Sequence, residues 1–88
     1  MPLTISDQQI LKILKNKMFL MEIFRSLGNT ISYTTVLSSI RRLEKKKLVT
    51  TAYDRDERKR YVFLTKYGEE IQKALNKEVK ENGYYANN

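Results

Sequence analysis

A stretch in the middle of the chain, residues 32–49 with the sequence SYTTVLSSIRRLEKKKLV, constrains the fold more than any other. At the advance of about 100° per residue of an α-helix, Val36, Ile40 and Leu43 fall on one apolar stripe. Ser32 is a suitable N-cap, because its hydroxyl can accept a hydrogen bond from a backbone N–H of the first turn. The stretch therefore predicts a helix with one face in a core.

The other face of this helix combines small hydroxyl side chains near its start with cations towards its end. Hydroxyl and β-branched residues are mediocre helix formers, so stability alone does not select them on a helix surface. Small hydroxyls let a helix lie deep in a groove, and arginine can bind guanine edges or phosphate. The pattern indicates DNA recognition, with a merely solvated, basic helix face as the alternative. These residues are Thr34, Thr35, Ser38, Ser39, Arg41, Arg42 and Lys45.

The positive charge of the chain is concentrated beside this helix. The net charge is +7, from 17 basic and 10 acidic residues. Residues 41–60 hold nine of the basic and four of the acidic side chains, so that segment carries +5 of the total. A concentrated basic patch points to a polyanion, which is DNA, RNA or an acidic membrane surface.

The composition argues against an enzyme and against a metal or cofactor site. The chain has no cysteine and no histidine, which removes thiol catalysis, the usual zinc sites and Ser–His triads. No carboxylate pair, nucleophile–base set or phosphate-binding glycine loop is visible. We therefore expect no catalytic activity and no cofactor.

No targeting or membrane segment is visible either. The longest apolar run, residues 18–21, is far too short to span a bilayer, and the N-terminus lacks the features of a signal peptide. We expect a soluble cytoplasmic protein without a membrane partner. It would be associated with the nucleoid in a prokaryote, or lie in the host cytoplasm if viral.

Two short helices are predicted before the central one. Ser6 and Gln9 fit a capping box, with Ile5 and Ile10 as the hydrophobic staple, and predict a first helix over about 7–16. Residues 15–17 indicate a break, with residues 18–19 extended and a second helix over about 20–27. One continuous helix to residue 27 is the alternative. Gly28 then ends the helix a few residues before Ser32, which is the spacing of a helix-turn-helix.

After the central helix the pattern changes to strands. Residues 49–53 and 61–65 are rich in strand formers, and residues 54–60 between them are all charged. The segment predicts a β-hairpin. Because its tip contains no glycine, we expect a longer, mobile loop rather than a tight two-residue turn.

The last helix is predicted to begin after Thr65 and to run over about 66–81, which closes a single domain over 1–81. Its apolar stripe has little of the chain left to cover it beyond about residue 74, which indicates a dimerisation helix. The alternative is a helix folded back on its own core. Residues 82–88 are predicted to be a loose tail. The predicted dimer interface is Ile71, Leu75, Val79 and Tyr84.

This order of elements is that of a winged helix-turn-helix, an α+β but mostly α fold with a three-helix core, a β-hairpin wing and a C-terminal helix. Three pieces of sequence resemble the MarR-like family. They are residues 22–28 (EIFRSLG); the runs SYTTV, RLEK and LV within 32–49; and DER followed by VFLTKYG within 56–68. The size is similar to that of compact PadR-like or small archaeal and viral winged-helix proteins.

The resemblance implies a recognition helix in the DNA major groove and a wing in the adjacent minor groove. It assigns Arg58 to the wing arginine and Asp56 to the acid that orients it. The predicted contacts of the recognition helix are Ser32, Tyr33, Thr34, Thr35, Ser38, Ser39, Arg41, Arg42 and Lys45. Those of the wing are Arg55, Arg58, Lys59 and Arg60, with Lys46 as a further phosphate contact.

From these features we predict a homodimeric, sequence-specific regulator of transcription that binds double-stranded DNA, and more specifically a repressor. Its two recognition helices would enter successive major grooves of an inverted repeat, roughly 34 Å apart. The alternatives are a DNA partition, replication-initiation or architectural protein, and a winged-helix module that binds a protein partner. The sequence names no effector ligand.

Overall fold

The computed structural model describes residues 3–86, and the side chains of residues 3–77. Three helices precede a hairpin, and a fourth helix follows it. The sheet has the order β1-β3-β2 with both neighbouring pairs antiparallel. The winged helix-turn-helix prediction is thereby confirmed. The elements are α1 (Ile5–Ile13), β1 (Lys17–Phe19), α2 (Leu20–Ser26), α3 (Tyr33–Lys45), β2 (Val49–Asp54), β3 (Lys59–Leu64) and α4 (Lys66–Ala86).

Helix α1 begins and ends earlier than predicted. Its N-cap is Thr4, whose hydroxyl accepts from the Asp7 N–H at 3.1 Å, while the Thr4 N–H donates to the Asp7 carboxylate at 3.2 Å. The predicted capping box of Ser6 and Gln9 is therefore wrong. Ser6 instead lies within the first turn, and its hydroxyl hydrogen-bonds that of Ser39 on α3 at 2.9 Å.

The predicted break before α2 is confirmed, and it has a structural use that the sequence did not show. Strand β1 pairs with β3 in the register Met18↔Val62, so the extended residues become a third strand of the sheet. Helix α2 then starts at Leu20, as predicted, and the chain turns through Gly28 and Asn29, which have φ of 57° and 65°. Glycine and asparagine tolerate this left-handed conformation better than other residues.

Helix α3 starts at the predicted cap and ends without glycine. The Ser32 hydroxyl accepts from the Thr35 N–H at 3.2 Å. At the other end, the Leu48 N–H donates to the Leu43 carbonyl at 2.9 Å and the Lys47 N–H to the Glu44 carbonyl at 3.0 Å. This is the Schellman arrangement, and Lys47 takes its left-handed position with a φ of 64°. The turn leads directly into β2.

The hairpin is tighter than predicted. Asp54 pairs with Lys59, so a turn of only residues 55–58 connects the strands. The Asp54 carboxylate accepts from the Glu57 N–H at 3.0 Å, and Arg58 has a left-handed φ of 54°. A side-chain acceptor and one left-handed residue replace the glycine that such a turn normally uses. The prediction that this is not a two-residue turn is confirmed, the turn is shorter than the predicted seven-residue tip, and its mobility stays a prediction.

Helix α4 is capped as predicted and extends further. The Thr65 hydroxyl accepts from the Gly68 N–H at 2.9 Å and donates to the Lys47 carbonyl at 2.7 Å. The helix continues to Ala86, so the predicted loose tail is corrected for residues 82–86. Asn87 and Asn88 lie outside the described residues.

The core lies between the four helices and the inner face of the sheet. Ile71 and Leu75 pack against this core from α4 and remain partly exposed. These two side chains therefore contact their own domain, and their place in a dimer interface stays a prediction. The side chains of Val79 and Tyr84 lie outside the described part. The fully buried apolar side chains are Ile10, Leu11, Ile23, Val36, Leu43, Val49 and Val62.

Candidate nucleic-acid interface

The outer face of α3 presents a mixture of hydroxyls and cations to solvent. Thr34, Arg41 and Lys45 are exposed, and Ser38 between them is half-buried. All four lie on the side of the helix away from Val36, Ile40 and Leu43, because their spacing is close to a whole number of turns. Ser32 and Thr35 are engaged in the N-cap, where the Ser32 hydroxyl also donates to the Thr35 hydroxyl at 2.9 Å.

The aromatic ring at the start of α3 is fixed by packing. Tyr33 meets the ring of Phe24 on α2 edge-to-face, at a centroid distance of 5.5 Å and an interplanar angle of 88°. Such pairs contribute roughly 0.5–1.5 kcal/mol beyond the area they bury. Tyr33 is nonetheless 38% exposed, so its polar end remains available beside Thr34.

Two predicted DNA contacts on α3 are directed towards α1 instead. Ser39 is fully buried, with 0% of its surface exposed. Arg42 donates from Nε and Nη2 to the carboxylate of Asp7 at 3.0–3.2 Å, and from Nη2 to the Ser39 hydroxyl at 3.0 Å. The prediction that Ser39 faces the groove is wrong, and Arg42 is committed to α1. Both side chains are directed away from a DNA groove for the same reason, which is that Asp7 of α1 lies opposite this side of α3.

The pKa of Asp7 shows how well its charge is stabilised. Burial raises the pKa of this carboxyl, but the hydrogen bonds from Arg42, Ser39 and Thr4 outweigh burial and lower it below its ordinary value of 3.8. The Asp7 side chain is 1% exposed, whereas that of Arg42 is 41% exposed. The pair is therefore a charged link between α1 and α3, buried at the carboxylate end.

The wing presents its cations in two ways. Arg55 and Arg58 are exposed in the turn. Lys59 places Nζ 4.3 Å from the ring centroid of Phe19, and the Arg60 guanidinium lies 5.9 Å from that of Tyr53. Cation–π contacts of this kind hold a charge in place without neutralising it.

The acidic residues of the wing shape the turn rather than pair with its arginines. Among the described residues, Asp56 is exposed and makes no ion pair, so its predicted role of orienting Arg58 has no contact to support it. Glu57 accepts from the Tyr61 hydroxyl at 2.7 Å, and this hydrogen bond, with burial and nearby carboxylates, raises the pKa of Tyr61 to about 12. The turn is thus held by Asp54 and Glu57.

A crevice separates α3 from the wing, and both predicted surfaces contribute to it. This α3–wing crevice has a volume of about 550 Å³ and is lined by apolar side chains, two tyrosines and four cations. It continues along α3 to Arg41 and Glu44, where Thr51 donates to the Glu44 carboxylate at 3.0 Å. Its polar lining consists of Arg25, Tyr33, Tyr53, Arg58, Lys59 and Arg60.

Arg25 and Tyr53 are members of this crevice that sequence reasoning missed. Arg25 lies on α2 and Tyr53 on β2, both outside the segments that suggested DNA contacts. The pairing Tyr53↔Arg60 offered the only usable signal, because residues opposite each other on a hairpin share a face. Nothing in the local sequence distinguishes Arg25 from an ordinary surface cation.

Other kinds of site are not formed by the described residues. Among the described side chains, those of residues 3–77, no cluster of three or more histidine, cysteine or acidic residues is arranged to hold a metal ion. In the same part of the chain, no helix combines the length and apolarity needed to cross a bilayer.

Comparison with known proteins identifies the family. The model of the penicillinase repressor family matches residues 3–84, which is nearly the whole chain. The chain belongs to the penicillinase repressor family. No curated protein matches this family member in sequence.

Solved structures share its fold at low sequence identity. The adhesin competence repressor AdcR of Streptococcus pyogenes superimposes with a TM-score of 0.81 at 22% identity, over 97% of this chain and 63% of that one. A MarR family protein from Bacillus stearothermophilus superimposes with a TM-score of 0.77 at 17% identity, over 98% of this chain and 60% of that one. FabT of Streptococcus pneumoniae, solved in complex with DNA, superimposes with a TM-score of 0.79 at 17% identity, over 94% of this chain and 59% of that one. The fold behind the MarR-like resemblance is confirmed, and the chain spans less than two thirds of each of these proteins.

Proposed function

We propose that this penicillinase repressor family member is a sequence-specific DNA-binding protein that represses transcription as a homodimer on an inverted repeat. One observation carries the proposal. Tyr33 and Arg41 of α3 line the same crevice and its continuation as the wing cations Arg58, Lys59 and Arg60. A major-groove reader and a minor-groove reader need this arrangement, since the two grooves are separated by a single sugar–phosphate strand.

In the proposed complex, α3 enters the major groove through its outer face. Thr34 and Ser38 are small enough to bring the helix close to base edges, and Arg41 is long enough for a bidentate contact with guanine. Lys45 and the neighbouring Lys46 are assigned to phosphates, which position the protein without specifying sequence. Ser39 and Arg42 are excluded from this list by their contacts with α1.

The wing and the crevice supply the remaining contacts. Arg58 and Arg55 are proposed to enter the minor groove, whose negative potential is enhanced where the groove is narrow. Lys59, Arg60 and Arg25 are proposed to contact the intervening sugar–phosphate strand. The family assignment and the fold shared with FabT support this placement, although FabT is only 17% identical to this chain.

The homodimer is proposed to form through α4. Two copies of the unit are needed to read an inverted repeat, because each α3 reaches only one half-site. Ile71 and Leu75 retain partial exposure after packing on their own core, and Val79 and Tyr84 continue the same helix. A DNA-binding role further implies that the protein works in the cytoplasm, and the proposal assigns it no catalytic activity.

A selection of bound sequences from random duplex DNA tests the function. Wild type is compared with a Ser38→Ala/Arg41→Ala variant and with a Lys15→Ala variant, which removes an exposed cation away from the crevice. We expect a two-fold symmetric motif in wild type and in Lys15→Ala, and its loss or broadening in the double variant. Binding without an enriched motif would favour a partition or architectural role. A folded dimer that retains no DNA would reject DNA binding and favour a protein partner.

A further inference from the structure

The Asp7–Arg42 pair joins α1 to the helix that is proposed to read DNA. We infer that Asp7 is a positioning residue that, through Arg42, sets the orientation of α3 required for specific DNA binding. The inference rests on the proposed function, because it concerns how accurately α3 is presented to a groove. It assigns to Arg42 a role different from the direct DNA contact that its sequence pattern suggests.

The geometry of the pair fixes more than a distance. The single Nε–H of Arg42 is shared between the two Asp7 oxygens, each 3.2 Å from Nε, and Nη2 donates a second hydrogen bond to Oδ1 at 3.0 Å. Because both the guanidinium and the carboxylate are planar, a multidentate contact sets their relative orientation as well as their separation. The Asp7 carboxylate cannot turn away, since it also accepts from the Thr4 N–H at 3.2 Å.

The remaining contacts between these helices do not set that orientation as sharply. Apolar packing is non-directional, so a smooth stripe such as Val36, Ile40 and Leu43 tolerates small rotations of the helix about its axis. Ser39 adds a hydrogen bond to the Ser6 hydroxyl at 2.9 Å, next to the ion pair. The polar cluster of Ser6, Asp7, Ser39 and Arg42 therefore fixes which residues of α3 point outward.

A purely electrostatic role and a positioning role of Asp7 predict opposite changes in DNA affinity when its charge is removed. The direction of that change therefore tests the inference. Replacing Asp7 by Asn removes a negative charge from a chain of net charge +7. If Asp7 acted only through its charge, the variant would bind DNA more tightly, because the long-range attraction to phosphate would increase. If Asp7 positions α3, the variant loses affinity for the selected operator despite its higher positive charge.

The experiment measures operator and non-specific duplex binding for wild type, Asp7→Asn and Glu70→Gln. Glu70 is an exposed acid on α4, so its variant changes the net charge equally and leaves α3 untouched. We expect Asp7→Asn to weaken operator binding about tenfold, the effect of one poorly read base pair, while non-specific binding is unchanged or slightly stronger. Equal behaviour of the two variants, or tighter operator binding by Asp7→Asn, would overturn the inference.

A second pair of variants separates positioning from a phosphate contact by Arg42. Arg42→Lys keeps the charge but loses the planar fork, and we expect it to lower operator affinity about as much as Asp7→Asn does. Arg42→Gln should leave the salt slope of non-specific binding unchanged, whereas loss of a phosphate contact lowers that slope by about 0.9 per site. Retained operator affinity in Arg42→Lys together with a reduced slope in Arg42→Gln would reject positioning.

Folding of the variants is checked by circular dichroism and urea unfolding before binding is compared. If Asp7→Asn does not fold, Arg42→Lys decides the question, since it preserves both charges. Failure of wild type to enrich any operator would reject the proposed function, and that result is obtained before any variant is made.

Discussion

Arg58 occupies the last position of the wing turn with a φ of 54°. A residue with a Cβ atom loses roughly 1–2 kcal/mol in the left-handed region, which glycine adopts without strain. Strained residues persist where their side chains serve a function. The strain at Arg58 is consistent with its proposed place in the minor groove. A glycine would form the turn with less strain but has no side chain to contact DNA.

Replacing Arg58 by glycine should therefore separate stability from binding. We expect Arg58→Gly to raise the free energy of unfolding by up to about 1 kcal/mol, since the relief of strain exceeds the added freedom of the unfolded chain. DNA affinity should fall, with the magnitude of the salt slope reduced by about 0.9 per protomer. Arg55 lies in the same turn and has no positive φ. Arg55→Gly is therefore the control, and it should not raise the free energy of unfolding. Urea unfolding and fluorescence anisotropy measure the two quantities.

Gly68 is required by a close approach rather than by its backbone angles. A Cβ atom at this position would overlap the carbonyl group of Leu48, a backbone group that cannot move aside without disturbing the end of α3. This contact explains the glycine three residues after the capping Thr65.

We expect Gly68→Ala to lower the free energy of unfolding by about 2–3 kcal/mol through overpacking. Asn76→Ala, at an exposed position of the same helix, should instead be neutral or slightly stabilising, because alanine is the better helix former. Urea unfolding of both variants makes the comparison. An equal response would show that the approach to Leu48 relaxes freely.

The errors of sequence reasoning at this scale share one cause. Thr4 with Asp7 and Ser6 with Gln9 both fit a capping box, and local sequence does not rank them. The choice is made by Arg42, which lies 35 residues away along the chain. Likewise Ser39 lies only about 40° from Leu43 on the helical wheel. Whether that position is buried depends on which helix packs against it, and local sequence does not determine tertiary packing.

At the scale of elements, one side chain of α4 adds hydrogen bonds to the apolar contact between α4 and the core. The amide nitrogen of Gln72 donates to the carbonyls of Leu11 and Leu14, at 2.8 and 2.6 Å. These carbonyls lie at the end of α1, where the regular helical donors run out; the Leu11 carbonyl also accepts from the Leu14 N–H at 3.4 Å. Gln72 is thus a C-terminal cap supplied by another helix.

We expect Gln72→Leu to lower the free energy of unfolding by about 1–3 kcal/mol, the cost of leaving buried acceptors without donors. Gln9→Leu makes the same chemical change at an exposed position of α1 and should have little effect. Thermal unfolding of the two variants suffices. A Gln72 variant as stable as wild type would mean that water replaces the amide.

The contact between α1 and α3 should give stability a definite dependence on pH. The pKa of Asp7 in the folded chain is lower than its ordinary value of 3.8, so folding favours the charged form. The resulting stabilisation is complete above pH 3.8 and is lost as the pH falls through the lowered pKa of the folded state. The difference in unfolding free energy between wild type and Asp7→Asn should therefore shrink as the pH falls below 3.8. A constant difference would contradict this assignment.

Periodicity was sufficient to predict the helices and the hairpin, because burial of one face leaves a regular trace in sequence. It did not reveal that β1 would join the sheet. Three extended residues carry no period of their own, and their pairing with β3 spans more than forty positions. The hairpin turn is shorter than the predicted seven-residue tip because Asp54 and Arg58 perform the task usually given to glycine.

At the scale of the whole molecule, the proposed dimer makes binding depend on two half-sites. If each protomer neutralises about four phosphates, the log–log salt slope on the full operator should be near −7, and about half of that on a duplex with one half-site. Affinity for the single half-site should also fall at least about a hundredfold, since the second set of contacts is absent. Anisotropy titrations at several salt concentrations, with sedimentation of the free protein, test both. Equal slopes on the two duplexes would indicate a monomeric reader.

The burial of Ser39 has a consequence for how a genome is searched. If α3 reads DNA as proposed, with Ser39 buried and Arg42 bound to Asp7, three or four of its side chains would distinguish bases, and one copy would discriminate about four base pairs. A word of four letters recurs by chance about once in 256 positions, whereas a paired word of eight letters recurs about once in 65,000. The pairing of two copies, rather than a larger number of base contacts by one helix, would then supply most of the sequence specificity for an operator.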